Sequence, residues 1–420
     1  MEPNQDAPHW LDADLARSLA ERFGTPLYVY HEGTLRRRLR ELAGLLAHRP
    51  FRPSISVKAN GNPWLLAIAR KEGLHGDAMS PGEILLLETA RFSAEDIVFV
   101  PNNVGAEEFH FAAARGILTS LDSLDQLRLF AEHVPGTKVS FRIDPGIGDG
   151  HHQKVVTAGA GGKFGILPDE IPQALAIAAK ADVKVVGLNQ HIGSGFLDPT
   201  RFLAAADLLL RAARRVPDVE FVDFGGGFGI PYRGEGRLDL ERLGQGLDER
   251  LARWEDEMGN RLEARLEPGR YWCAEGGALL GTVHAVKRRE RGVLAGCDLG
   301  FNVLQRPCLY DAWHGIDLLA GTSGKRTTES VTWVGNVCES GDVLGKARLG
   351  SCPARGDLVR VRDAGAYGWS MSSSYNARPR AAEVLLCSDS SIALIRSRES
   401  LEDLLRQVPS LPIEKGLPCS

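Results

Sequence analysis

Five short runs hold residues whose types and spacing could do chemistry. Lys58 stands in VKANGN, Asp77 and Ser80 in DAMS, His191 and Ser194 in HIGSGF, Gly225, Gly226 and Gly227 in GGGFG, and Glu267, Gly269 and Arg270 in EPGR. A lysine ending an apolar run is a candidate nucleophile for a carbonyl compound. A glycine loop after a strand lets backbone N–H groups face an anion such as phosphate. His191 could stack on a planar ring or work as an acid or base. Glu267 could hold a proton on a ring nitrogen, and Arg270 could grip an anion through two parallel N–H bonds. Each run alone also has a plain structural reading: a rim ion pair, a tight turn, a hydrogen-bonded core histidine, a salt bridge at a proline turn. Two later runs are as crowded. CESGD (338–342) sets a thiol beside two carboxylates, and GAYGWSMSSSYNARPR (365–380) gathers glycines, hydroxyls and arginines.

The elements that must position these groups alternate regularly. Candidate strands are ISVKA (55–59), GDAMS (76–80), IVFV (97–100), ILTS (117–120), VSFRI (139–143), VVGLNQHI (185–192), FVDFGG (221–226) and RLEPG (265–269). Between them lie runs such as PWLLAIARKEG and PTRFLAAADLLLRAARRV, apolar at i, i+3 and i+4, several opening on Pro or Asp as helix N-termini prefer. Eight strands with crossover helices predict a parallel (β/α)8 barrel, whose chemistry sits at the C-terminal strand ends. Lys58, Asp77, Arg142, His191, the glycine loop, Glu267 and Arg270 all fall at such ends. From about 278 to 400 the runs are strand-like without long helices, which predicts a second, mostly antiparallel β domain. PLYVYH (26–31) could join it. The expected division is a barrel at 36–275 and a discontinuous β domain at 1–35 and 276–420.

Composition narrows the class. The 420 residues are 43% hydrophobic and 25% charged, with a net charge of −4, an ordinary globular balance. Near-neutral charge argues against a dedicated nucleic-acid or membrane-surface binder. No apolar run reaches the ~18 residues of a membrane span. The acidic start, MEPNQDAPHWLDADLA, lacks a signal-peptide pattern. Seven cysteines, all from Cys273 onward and without a CxxC pair, fit a reducing cytoplasm better than a disulfide framework or a cysteine metal site. Glycine is abundant, clustered as GAGGK (159–163), FGGGFG and EGG.

Taken together, VKANGN, DAMSPGE, KFGI, HIGSG, GGGFG, EPGR, RPCLYDAWH, CESGD and GAYGWSMSSSYNARP resemble, in order, the motifs of the fold-type III pyridoxal-phosphate-dependent decarboxylases. The resemblance runs from about Tyr28 to Val384 and is strongest to the branch acting on diaminopimelate. It implies an alanine-racemase-like barrel plus a β domain, pyridoxal 5'-phosphate as cofactor, and decarboxylation of meso-2,6-diaminopimelate to L-lysine and carbon dioxide. Lys58 is then implied as the covalent anchor of the cofactor and His191 as the ring that stacks on it. Asp77 lines the cofactor site. Gly225, Gly226, Gly227, Ser194, Gly269 and Arg270 surround the phosphate, Glu267 pairs with the ring nitrogen, and Tyr375 also touches the cofactor. Arg270, Arg306, Tyr310, Glu339 and Tyr375 hold the substrate's distal amino-acid head, and Cys338 is the proton donor. The resemblance also implies a homodimer with composite sites, since Cys338 and Glu339 reach into the partner's site in relatives. No metal is implied.

A carboxylate at position 267 favours a protonated ring nitrogen, whereas an arginine there would not, which sets the chain apart from amino-acid racemases of the same fold. Val303, Ser374 and Asn189 stand where the family more often has other residues. Two alternatives therefore stay open. One is a sister decarboxylase for ornithine, lysine, arginine, carboxynorspermidine or a carrier-bound glutamyl group. The other is an inactive, partner-binding relative.

Overall fold

A computed structural model describes residues 10–148, 163–290, 292–319 and 326–409. The GAGGK run, apart from Lys163, lies outside them. The strands are β1 (Leu27–His31), β2 (Phe51–Ser56), β3 (His75–Ala78), β4 (Ile97–Phe99), β5 (Leu118–Leu121), β6 (Lys138–Arg142), β7 (Lys184–Asn189), β8 (Phe221–Asp223) and β9 (Glu263–Leu266). They continue with β10 (Gly277–Arg289), β11 (Gly292–Cys297), β12 (Ile316–Leu319), β13 (Thr328–Val334), β14 (Val343–Ser351), β15 (Leu358–Val361), β16 (Ala382–Leu386) and β17 (Ile392–Arg396).

Strands β2 to β9 close into a parallel barrel, each pairing with the next and β2 with β9. Helices return the chain on the outside. Two show how the sequence starts them. Asn62 accepts the Trp64 N–H ahead of Pro63, and Ser80 accepts the Glu83 N–H ahead of Pro81. A polar cap satisfies an otherwise orphaned N–H, and proline costs nothing at a position whose N–H has no helical partner.

The remaining strands form a nine-stranded sheet in the order β14-β13-β11-β10-β1-β16-β17, with β15 pairing both β10 and β12. Most pairs are antiparallel; β1–β16 and β11–β13 are parallel. β1 inserts between β10 and β16, and four of its five residues are buried. The sheet also contains two strands the sequence pattern did not single out, β12 and β14. β14 is an edge strand whose middle carries Lys346 and Arg348. Charges on an edge blunt unwanted pairing but erase the alternation by which a strand is recognised.

The seam between barrel and sheet holds a hydrogen-bonded polar cluster. Asn60 donates to Tyr30 Oη and to the Gly365 carbonyl, both at 3.0 Å. Asn62 donates to Glu383 Oε2 at 2.8 Å, Tyr30 donates to Glu383 Oε1 at 2.7 Å, and Arg396 also donates to Glu383. The two asparagines of VKANGN thus fasten the turn after β2 to the second domain.

Candidate active site

The C-terminal barrel mouth gathers most of the residues singled out above. β2 ends at Ser56, three residues earlier than its pattern suggested, and Lys58 sits on a single 3-10 turn, Val57–Ala59. Likewise β7 ends at Asn189, so His191 lies on the loop beyond it. Both side chains are therefore held by turns over the mouth. The Ala59 carbonyl accepts the Tyr367 N–H at 2.8 Å, which ties the lysine turn to the GAYG segment.

Beneath Lys58 lies a nest of buried carboxyls. Asp77 accepts from Ser56 Oγ at 2.7 Å through Oδ2, while its Oδ1 has no partner among the described residues. Asp223 Oδ1 accepts the Gly225 N–H at 2.8 Å, and the Glu267 side chain is close enough to act on its charge. Glu267 Oε1 is buried without a partner among the described residues. Burial pushes the Glu267 carboxyl well above the usual range, and Asp223 and Asp77 push it further. Burial also raises Asp223 to about 7. Lys58 and the buried Arg142, whose guanidinium lies 4.3 Å over the Phe164 ring, offset part of this negative charge.

The glycine loop packs too tightly for side chains. A Cβ would meet the Gln190 carbonyl oxygen at 2.0 Å from Gly225, the Glu267 carbonyl oxygen at 2.2 Å from Gly226, and the Gly193 carbonyl oxygen at 2.3 Å from Gly227. Gly225 and Gly227 also have positive φ, +79° and +104°, which glycine adopts without strain. The Gly226 N–H donates to His191 Nδ1 at 3.3 Å. Burial, then the charges of Lys58 and Arg142, hold His191 well below its usual pKa, so the ring over the mouth is a flat, neutral imidazole.

Arg270, 4% exposed, donates to Ser194 Oγ at 3.0 Å and to Tyr232 Oη at 3.0 Å. Arg306, 2% exposed, opens the short helix Arg306–Tyr310 and donates to the same Tyr232 Oη at 3.1 Å. Tyr310 is one turn further along that helix. Among the described residues no carboxylate forms an ion pair with either arginine. Gly269 lies beside Tyr367, whose Oη would be 2.7 Å from an added Cβ.

Three residues singled out from the sequence are not in this cluster. Cys338 and Glu339 are exposed, and Tyr375 is 42% exposed. They group with one another: Tyr375 Oη donates to Glu339 Oε1 at 2.7 Å, and the Cys338 N–H donates to Asn376 Oδ1 at 2.8 Å. Conversely, Tyr232, His314, Tyr367 and Asp223 belong to the mouth although the motif reading gave them no role. Tyr367 carried one unused signal, its place in a run already marked as unusual; its φ of +55° is strained for a non-glycine residue.

Residues 32–274 match the family described as "Pyridoxal-dependent decarboxylase, pyridoxal binding domain". The chain is similar to the diaminopimelate decarboxylase of Methanothermobacter thermautotrophicus, 39% identical over 401 residues covering 93% of each chain. It is 33% identical to the Escherichia coli diaminopimelate decarboxylase over 95% of this chain and 99% of the other. Among solved structures it matches the Helicobacter pylori diaminopimelate decarboxylase complexed with L-lysine. The TM-score is 0.86 at 30% identity, over 93% of this chain and 98% of that one.

Proposed function

The chain belongs to the pyridoxal-dependent decarboxylases, and from that premise we propose that it converts meso-2,6-diaminopimelate to L-lysine and carbon dioxide. It is a carboxy-lyase of the diaminopimelate decarboxylase type, dependent on pyridoxal 5'-phosphate, and supplies lysine for biosynthesis.

The observation that carries the substrate reading is the pair Arg270 and Arg306. Two buried guanidiniums joined through one phenol oxygen, without a carboxylate partner among the described residues, are costly to keep and ask for an anion. A carboxylate suits the fork geometry of arginine. A substrate ending in an amine alone would meet two positive charges there.

The residues fit the cofactor. Glu267 Oε1 is buried and unpartnered among the described residues, as expected of a carboxyl that meets a ring nitrogen. A bare glycine loop, Ser194 and Arg270, whose Nε has no partner among the described residues, suit a phosphate. Lys58 would hold the cofactor's carbonyl carbon, with Asp77 beneath it and the neutral face of His191 against its ring. Bound pyridoxal phosphate supplies the sink for the electron pair left as carbon dioxide departs. The chain's own residues do the rest. Glu267 keeps a proton on the ring nitrogen. Arg306, with Arg270 and Tyr310, orients the unreacted end of the substrate.

Cys338, Glu339 and Tyr375 complete the site in this proposal, with Cys338 and Glu339 delivered by a partner protomer. Their exposure on the β domain, apart from the buried mouth, supports a homodimer in which the Cys338 thiol returns a proton to the substrate carbon. A cytoplasmic location is part of the same reading, supported by six described cysteines that are all unpaired. Carbon dioxide release from meso-diaminopimelate, L-lysine, L-ornithine and L-arginine tests the assignment. We expect release from diaminopimelate with equimolar L-lysine; faster release from any of the others overturns it.

A further inference from the structure

We propose that Tyr232 and His314 form a clamp that fixes Arg306 for the carboxylate at the unreacted end of the substrate, and so set the preference for substrates that carry one. The inference rests on the reading of Arg306 as the residue for that carboxylate.

Arg306 comes from the β domain and Arg270 from the turn after the last barrel strand. Tyr232, on the loop that follows GGGFG, joins them. Its Oη accepts one N–H from each, at 3.0 and 3.1 Å, placing a partial negative charge between two cations that repel. The Arg306 guanidinium carbon also lies 5.0 Å from the Tyr232 ring centroid, close enough for a cation–π attraction. Having accepted twice, this hydroxyl has only its proton left to offer, and no acceptor holds it among the described residues.

His314 holds Arg306 from the other side. Arg306 Nη1 is 2.7 Å from His314 Nε2, and a guanidinium can only donate. Nε2 must then be the bare nitrogen, which puts the ring proton on Nδ1. Nδ1 is 2.9 Å from the Arg362 carbonyl, which can only accept. The two neighbours therefore select one neutral tautomer. Burial, then the charge of Arg306, holds the imidazole well below its usual pKa, so it does not become a third cation. Its ring meets that of Tyr232 edge-on, centroids 5.3 Å apart, so the two halves of the clamp brace each other.

An arginine fixed before binding loses little freedom when the ligand arrives. Released, the same side chain would have to be ordered by the substrate, and the loss would fall on ligands that carry a carboxylate. Both clamp residues act through Arg306 and are positioning residues.

L-lysine and cadaverine differ only by that carboxylate, so their dissociation constants for the holoenzyme isolate it. The wild type is expected to bind L-lysine the more tightly. Tyr232→Phe and His314→Leu should each weaken L-lysine about tenfold and leave cadaverine within about twofold. In turnover of diaminopimelate the same variants should raise KM about tenfold while kcat falls less than about threefold, the pattern of lost binding common to ground and transition states. His314→Gln can accept from Arg306 and donate to the Arg362 carbonyl, so it should restore L-lysine affinity to within about threefold of wild type. A wild type that binds both diamines alike would overturn the carboxylate reading of Arg306, and the clamp with it. A wild type that discriminates, with Tyr232→Phe and His314→Leu variants that discriminate equally, would overturn the clamp alone. Equal weakening of both ligands in the variants would also overturn it.

Discussion

Asn62 donates its side-chain amide to the wholly buried carboxylate of Glu383 at 2.8 Å, across the seam between barrel and sheet. The bond lies four residues from Lys58, so the stability of the domain seam and the placement of the lysine turn are one problem. Asn62→Ala leaves one lone pair of Glu383 short of a donor, removes the cap on the Trp64 N–H and should cost about 1–3 kcal/mol. Urea unfolding at neutral pH measures it. A midpoint equal to wild type would show that Tyr30 and Arg396 suffice.

Glu267→Gln should retain the cofactor yet slow turnover about 10²–10³-fold. The amide cannot provide the negative charge that keeps a proton on the ring nitrogen, a contribution of about 3–4 kcal/mol in comparable electrostatic sites. Steady-state kinetics alongside cofactor absorbance separates this from loss of binding. Wild-type turnover in the variant would remove Glu267 from the mechanism.

Glu83 gives a pH dependence of known sign. Burial raises its carboxyl to about 7, with the charge of Asp77 adding to the effect. The unfolded chain releases this proton near ~4.3. Between those values the folded state binds more protons, so stability falls as pH rises from about 4.3 to about 7 and is level beyond it. Glu83→Gln has no charge to bury and its amide oxygen can still accept the Met79 N–H. The variant should match wild type near pH 4 and exceed it at pH 8. Thermal unfolding of both proteins across that range reads the difference; parallel curves would place the Glu83 pKa at its ordinary value.

The composite site proposed above predicts complementation. Lys58→Ala and Cys338→Ala chains should each be nearly inactive. After subunit exchange the mixture should recover up to about a quarter of wild-type activity, since half of the dimers are mixed and each has one intact site of two. Exchange is verified with differently tagged chains. A mixture that stays inactive despite it would mean that Lys58 and Cys338 serve the same site from one chain.

The barrel was legible in the sequence because its elements are local. Strand and helix each repeat their apolar residues within a few positions, and eight alternations leave few ways to close a sheet. The glycine loop and EPGR were legible for a similar reason: their chemistry lies in backbone and side chains only a few residues apart. The partners that complete the proposed site were not. Tyr232 and Arg306 are 74 positions apart, and Tyr232 and Arg270 are 38 apart. A tyrosine three residues beyond a glycine loop means nothing by spacing. It becomes a bridge only when the barrel brings Arg270 and the β domain brings Arg306 within 3.1 Å of one oxygen. Asp223 likewise reads as a strand-end acid until burial raises its pKa to about 7. Hydrogen bonding and desolvation depend on distance in space and on exclusion of water, and for these residues only the tertiary structure supplies both.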